Sequence, residues 1–178
     1  MKRLFEVLAL FMMIQVPSIA QNDIPAFNSY HKNIYMEAEG SFIRAGVNFD
    51  MRLEKGRLDG MGFRLGIGGF SGDAGGYGRY IEGMVIFPLE FNYLVGSGRN
   101  TLVAGVGMMP AYASVEVIEN VDVSINGFGF AGAFVNFGYR LQPRDRGFMF
   151  QVNWNPILLR GRGFEYASFG IGMGIGFK

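Results

Sequence analysis

Few side chains in this 178-residue sequence are suited to chemistry. It has no cysteine, so disulfide and thiolate chemistry are excluded. His31 is its one histidine, and it lies in a polar stretch near the N-terminus. A serine hydrolase that deacylates lipids needs a histidine beside its nucleophile. We predict that His31 is a solvated residue and that the chain has no catalytic residues.

Metal and phosphate chemistry are also weakly supported. Glu116, Glu119 and Asp122 could hold Ca²⁺, but they lack the spacing of an EF-hand, and a solvated acidic loop is the simpler interpretation. Gly72–Gly78 is rich in glycine, yet no Gly-Lys-Ser/Thr ending follows it. We therefore predict no metal site and no cofactor.

The N-terminus has the pattern of a secretory signal peptide. Lys2 and Arg3 precede a short apolar run over Val7–Val16, and Ser18–Ala20 offers small residues for cleavage before Gln21. The run is too short for a transmembrane helix, which needs about 20 residues. The predicted organisation is a signal peptide over 1–20, a periplasmic lead-in over 21–33 and a barrel over 34–178.

Composition excludes nucleic acid as a partner. Removing 1–20 takes Lys2, Arg3 and Glu6 from the charge count, which leaves 14 basic and 14 acidic residues (16 − 2 and 15 − 1). A neutral chain has no electrostatic attraction for phosphate backbones. Glycine (28 residues) and phenylalanine (18 residues) are abundant, and lysine is scarce, which is unusual for a soluble surface.

The dominant pattern has a period of two, which is typical of β-strands. In Phe42–Leu53 the odd positions are apolar, and the even positions include Arg44, Gly46, Asn48, Asp50 and Arg52. Eight segments of this kind predict an all-β fold, an eight-stranded antiparallel up-and-down transmembrane β-barrel. The segments are Ile34–Glu39, Phe42–Leu53, Met61–Gly69, Val85–Val95, Leu102–Met108, Val135–Leu141, Phe148–Trp154 and Ser168–Phe177.

Alternation alone does not show which face points outward. A soluble barrel of the lipocalin kind has the same period with an apolar lumen. Here the polar face is mainly glycine with nearly balanced charges, which suits a crowded lumen in which ions neutralise one another. We therefore predict that the apolar face meets lipid, and that a charge network fills the lumen rather than a glycosidase-like acid pair. Its members are Glu37, Glu39, Arg44, Asp50, Arg52, Arg64, Glu90 and Arg140.

The connections alternate in length. Glu54–Asp59, Gly96–Asn100 and Pro143–Arg146 are predicted short turns, which are periplasmic in outer-membrane barrels. The predicted longer links cover 71–79, 110–126 and 157–165. Aromatic residues fall near both rims, as in the girdles of membrane barrels. They are Tyr93, Tyr139, Phe148 and Phe177 at the short turns, and Phe70, Tyr112, Trp154 and Tyr166 at the long links.

One stretch does not follow the alternation. Phe128, Phe130 and Phe134 share the parity of the polar residues Asn136 and Arg140. Either a bulge near Gly132 switches the two faces, or the three rings fill one mouth of the lumen.

The runs Phe87–Gly96 and Gly138–Pro143 resemble the small outer-membrane β-barrel proteins of Gram-negative bacteria, with an architecture similar to the OmpA/OmpX type. The resemblance covers 33–178. It implies an eight-stranded barrel in the cell outer membrane, most members of the group having no assigned activity. It also implies biogenesis by the barrel-assembly machinery, which reads a terminal aromatic residue. Here Phe177 is followed by Lys178, a departure from that pattern.

The predicted function is an integral outer-membrane protein with a structural or surface-interaction role and no enzymatic activity. Its predicted partners are outer-membrane lipid and the assembly machinery, while an extracellular ligand stays unknown. The alternatives are a narrow pore, a lipid-modifying barrel enzyme, and a soluble carrier of the lipocalin kind.

Overall fold

The computed structural model describes residues 29–42, 45–73, 79–117, 123–160 and 163–178. The predicted signal peptide, most of the predicted lead-in, and Arg44 lie outside these ranges. Eleven strands and one 3-10 turn, over Gly40–Phe42, make up the described part. The strands are β1 (Lys32–Glu39), β2 (Ala45–Arg52), β3 (Gly60–Asp73), β4 (Arg79–Ile86), β5 (Leu89–Ser97), β6 (Asn100–Val117), β7 (Val123–Leu141), β8 (Gly147–Trp154), β9 (Ile157–Leu159), β10 (Gly163–Glu165) and β11 (Phe169–Phe177).

These strands form a closed antiparallel barrel of eight barrel strands, as predicted. Three barrel strands consist of two segments each: β4 with β5, β8 with β9, and β10 with β11. The sheet closes because β1 pairs with β2 on one side and with β11 on the other. No helix among the described residues is long and apolar enough to cross a bilayer.

Two of the interruptions occur at prolines, which lack the N–H that a ladder needs. Pro88 separates β4 from β5, and Pro156 separates β8 from β9. Their carbonyl groups still accept bonds from the neighbouring barrel strands, at 2.8 Å from the amide of Gly66 and 3.1 Å from that of Val135. The barrel wall therefore remains continuous across both breaks.

The faces point as the alternation predicts. On β2, Asn48, Asp50 and Arg52 are buried and Val47 is exposed. Across the described part of the chain, thirty large apolar side chains are exposed, while ten apolar side chains are buried. This sidedness is the reverse of that of a soluble lipocalin-like barrel.

The prediction of long links was wrong in extent. β3 continues to Asp73, β6 runs to Val117, and β7 begins at Val123, so much of the predicted loop sequence is strand. The short turns were confirmed, since β2–β3, β5–β6 and β7–β8 are joined by 53–59, 98–99 and 142–146. The end of the barrel with these three turns is called the short-turn rim below, and the opposite end the long-loop rim.

Candidate functional site in the barrel lumen

Six charged side chains are buried in the lumen and form a network of two ion-pair groups. Tyr35 links the two groups, because its hydroxyl accepts from Arg64 and its ring centroid lies 5.9 Å from Cζ of Arg140. The six charges balance, with three carboxylates and three guanidinium groups. A set of this kind is tolerated in a buried place only when each ion has a partner of opposite charge. The six are Glu37, Asp50, Arg52, Arg64, Glu90 and Arg140.

Asp50 is the centre of the half of the network nearer the short-turn rim. Arg140 donates to both of its carboxylate oxygens, Nη1 at 2.8 Å and Nη2 at 3.1 Å. Nη2 of Arg52 donates to the same carboxylate at 2.9 Å, and Nδ2 of Asn92 donates at 3.0 Å. One carboxylate therefore holds two guanidinium groups. Gln151 completes the group by accepting from Nε of Arg140 at 2.5 Å.

Arg64 is the centre of the other half. Its Nη1 lies 3.0 Å from Oε2 of Glu37, and its Nη2 lies 2.6 Å from Oε2 of Glu90. Asn48 donates to Glu37 at 2.9 Å, and Asn136 donates to both carboxylate oxygens of Glu90 at 2.9 and 3.1 Å. Here the arrangement is inverted, because one guanidinium group holds two carboxylates.

Two of the eight predicted members are not part of this set. Glu39 is exposed, so its prediction as a lumen residue was wrong. The chain leaves the strand there, with a φ of 60° at Glu39 and 63° at Gly40, and the alternation of faces ends. Arg44 lies outside the described residues.

The sequence argument also missed polar members of the network. Tyr35 and Ser41 are buried and accept from Arg64, at 3.4 and 3.0 Å. The amides Asn48, Asn92 and Asn136 share the parity of the charges on their strands, and this was the sign that could have placed them in the network.

Inward glycines provide the volume that these long side chains occupy. A Cβ at Gly62 would lie 2.2 Å from Cζ of Arg52, and a Cβ at Gly105 would lie 2.5 Å from Oε1 of Glu90. Any larger residue would displace the network. The high glycine content of the polar face is therefore a packing requirement of a narrow lumen.

An apolar cluster fills the lumen on the long-loop side of the network. Met84, Ala131 and Leu159 pack against it from the edge. The ring of Phe134 joins the two sections, because Cζ of Arg64 lies 5.5 Å from its centroid. The buried members are Ile86, Met109, Ala111, Phe134 and Ile157.

The register of β7 explains how Phe134 enters this cluster. Met109 pairs with Gly132 and Pro110 pairs with Phe130, so Ala131 is an extra residue that switches the faces. Phe134 is 4% exposed, whereas Phe128, beyond the switch, is 77% exposed. The predicted bulge therefore accounts for Phe128, and the prediction that the rings fill the lumen is correct for Phe134.

Residues before β1 close the lumen at the short-turn rim. His31 is fully buried, so its prediction as a solvated residue was wrong. Its Nε2 donates to the carbonyl of Pro143 at 3.0 Å, and its own carbonyl accepts from the amide of Arg52 at 2.9 Å. Burial lowers the pKa of His31 to about 4 because it disfavours the charged imidazolium. Leu58 and Gln142 are buried beside this closure, with Gln142 donating to the carbonyl of Leu58 at 2.6 Å.

The lumen is therefore filled in three consecutive sections: the His31 closure, the ionic network and the apolar cluster. Within the described residues no group of three His, Cys, Asp or Glu side chains is placed to hold a metal ion. The arrangement suits a rigid, filled barrel, as expected of an eight-stranded lumen just wide enough for side chains.

Likeness to known proteins is found among solved structures. No protein-family model and no curated protein matches the sequence. Among solved structures, the chain is similar to the N-terminal β-barrel domain of Pseudomonas aeruginosa OprF, with 11% sequence identity and a TM-score of 0.47. The alignment covers 85% of this chain and 98% of that domain.

Proposed function

We propose that this chain is an integral outer-membrane barrel with a structural or surface-contact role and no catalytic activity. The observation that carries the proposal is the sidedness of the wall, with apolar side chains outside and paired ions inside. In water, thirty exposed large apolar side chains would be a severe aggregation liability. In a bilayer the same apolar surface contacts lipid hydrocarbon, and the closed sheet provides hydrogen-bond partners for the backbone N–H and C=O groups of its strands.

The orientation and partners follow from the turns. Short turns face the periplasm in barrels of this type, so the hairpins β3–β4, β6–β7 and β9–β10 would extend outside the cell and make any surface contact. Membrane lipid would surround the wall. Phe177, the last strand residue, is the expected recognition element for the barrel-assembly machinery.

The absence of catalysis in this proposal rests on the sequence and on the place of His31. The chain contains one histidine and no cysteine. That histidine is fully buried and bonded to a backbone carbonyl, away from the wall that would meet a lipid substrate. Incubation of the refolded protein with phospholipid or lipid A, followed by product analysis, tests this point, and hydrolysis would contradict it.

The membrane assignment is tested with one variant pair. Ile171→Arg places a charge on the middle of the wall, where burial in hydrocarbon costs about 2–4 kcal/mol. Leu53→Arg places the same charge beside the short-turn rim, where the cost is about 0–1 kcal/mol. We expect wild type and Leu53→Arg in the outer-membrane fraction with a heat-dependent gel shift, and a much reduced amount of folded Ile171→Arg.

A soluble carrier would give the opposite pattern. Position 171 would then face water, so the two variants would be equally tolerated and the protein would stay in the supernatant after membranes are pelleted. Either outcome would overturn the membrane proposal.

A narrow pore is the second candidate, and one observation favours it. Among the described residues, several buried side-chain polar atoms have no protein hydrogen-bond partner, including both amide atoms of Asn33 and Asn155. Such atoms are sites that water commonly fills. Planar-bilayer recording decides between the two: stable open channels would support the pore, and a silent bilayer the filled barrel.

A further inference from the structure

A groove on the outer wall lies directly against the short-turn rim. Its apolar floor consists of Ile34 from β1 and Ile175 from β11, which pair across the strands and are 49% and 51% exposed, together with Phe177. The groove has a volume of about 690 Å³. The apolar floor is therefore suited to contact with a hydrocarbon chain.

The end of this groove at the rim is charged. Arg146 lines it from the turn between β7 and β8, and Lys178 lines it from the end of β11. Asp145 forms an ion pair with Lys178, which holds that ammonium group at the groove. Arg146 is exposed and makes no ion pair within the described residues. The groove thus joins an apolar floor to a cationic edge.

The cationic edge is part of a wider asymmetry. The short-turn rim, in its described residues, carries seven basic and three acidic side chains. Its acidic residues are engaged, Glu54 and Asp59 with Arg57 and Asp145 with Lys178. The basic ones are Lys32, Lys55, Arg57, Arg99, Arg144, Arg146 and Lys178.

The opposite end has the opposite balance in sequence. Among the described residues, the segments toward the long-loop rim contain five acidic and two basic residues. The acidic ones are Glu39, Asp73, Glu82, Glu116 and Glu165, and the basic ones are Arg79 and Arg160. The net charge of the chain, near zero, conceals this separation.

We propose that the groove binds one anionic phospholipid from the leaflet that the short turns face. An acyl chain would lie along Ile34 and Ile175, and the phosphate would lie at Arg146, with the other cations of the rim raising the local concentration of anionic headgroups. Basic residues at a membrane surface attract anionic lipid and lose that attraction as salt rises. The inference rests on the proposed membrane function, since only then does the groove face lipid.

The test uses the refolded full chain, after its heat-dependent gel shift has been verified, in mild detergent. Native mass spectrometry measures the binding of phosphatidylglycerol and of phosphatidylcholine with the same acyl chains. We expect tighter binding of phosphatidylglycerol, and a loss of about three- to fivefold in Arg146→Gln, the effect of one basic residue at a membrane surface. Arg160→Gln removes a cation from the other rim and is the matched control, with unchanged binding expected.

A second variant tests the apolar floor. Ile175→Ser is expected to weaken both lipids together, because it removes chain contacts and no charge. Inorganic phosphate at the same concentration is expected to compete poorly, since it lacks the acyl chain. Equal affinity for the two lipids, equal losses in Arg146→Gln and Arg160→Gln, or full competition by phosphate would each overturn the site.

Failure of this inference is distinguishable from failure of the proposed function. A barrel that shifts on heating and fractionates with the outer membrane, but shows no lipid preference, loses the site alone. A chain that remains soluble loses the membrane function as well.

Discussion

The ionic network and the apolar cluster fill neighbouring sections of the lumen with different chemistry. The ionic network fills its section with three carboxylates and three guanidinium groups, and each ion is paired with at least one ion of opposite charge. The apolar cluster fills its section with five side chains that need only volume. A buried ion left alone is far more costly than a small void, so the ionic section tolerates less change. The comparison suggests that network members are individually indispensable while cluster members are replaceable by residues of similar size.

The largest effect is expected at Asp50. Asp50→Ala leaves Arg52 and Arg140 buried without their carboxylate, and breaking a buried pair from one side costs about 3–5 kcal/mol. Urea unfolding of the refolded barrel, followed by gel mobility, measures the loss. A loss below about 1 kcal/mol would mean that water already solvates both guanidinium groups.

A smaller loss is expected in the apolar section. Phe134→Ala removes a buried ring and should cost about 3 kcal/mol, whereas Phe134→Leu should cost about 1 kcal/mol because most of the volume is kept. The same unfolding assay measures both variants. Phe128→Ala, on the exposed side of the bulge, is the control and should change the unfolding free energy little. Equal losses at 128 and 134 would contradict the assigned register.

The His31 closure should make stability depend on pH. Its folded-state pKa is lowered to about 4, so below pH 6.5 the unfolded state binds the proton more readily, and stability falls as the pH decreases towards 4. Between pH 7 and pH 5 the loss from this group should be about 2 kcal/mol. The free energies of unfolding of wild type and His31→Gln, measured at both pH values, isolate the contribution of His31. A parallel decrease in the two proteins would show that other groups are responsible.

The smallest effect is expected outside the lumen. Arg57 forms exposed ion pairs with Glu54 and Asp59 at 3.1 and 2.9 Å. Exposed pairs contribute about 0–1 kcal/mol, so Arg57→Gln should be nearly neutral in urea unfolding. A loss of stability comparable to that of Asp50→Ala would show that burial does not set the contribution of these ion pairs.

Much of the barrel was predictable because alternation is a local property. Each of the eight predicted segments overlaps one barrel strand, and charges on their polar faces, such as Asp50 and Arg64, point inward. Glu39 and Phe128 were not predictable in the same way. A turn at Gly40 ends the alternation at Glu39, and a bulge at Ala131, which the sequence left as one of two interpretations, switches the faces before Phe128.

The partners within the lumen were also beyond local reasoning. Asp50 and Arg140 are 90 residues apart, and their contact depends on how the strands are staggered around the barrel. The burial of His31 depends on two backbone contacts: its carbonyl accepts from the amide of Arg52 at the end of β2, and that of Ser29 accepts from Gly56 in the turn that follows. A polar residue before the first strand gives no local indication that it closes the lumen.

The sequence by itself determined the strand segments, the apolar and polar faces and the near balance of charges, because each depends on residue type at a spacing of two. The tertiary structure decided which ion meets which, where the faces switch, and how the short-turn mouth is closed. The physical reason is that register and closure are set by contacts between distant strands, and these contacts exist only once the sheet has joined its own edge.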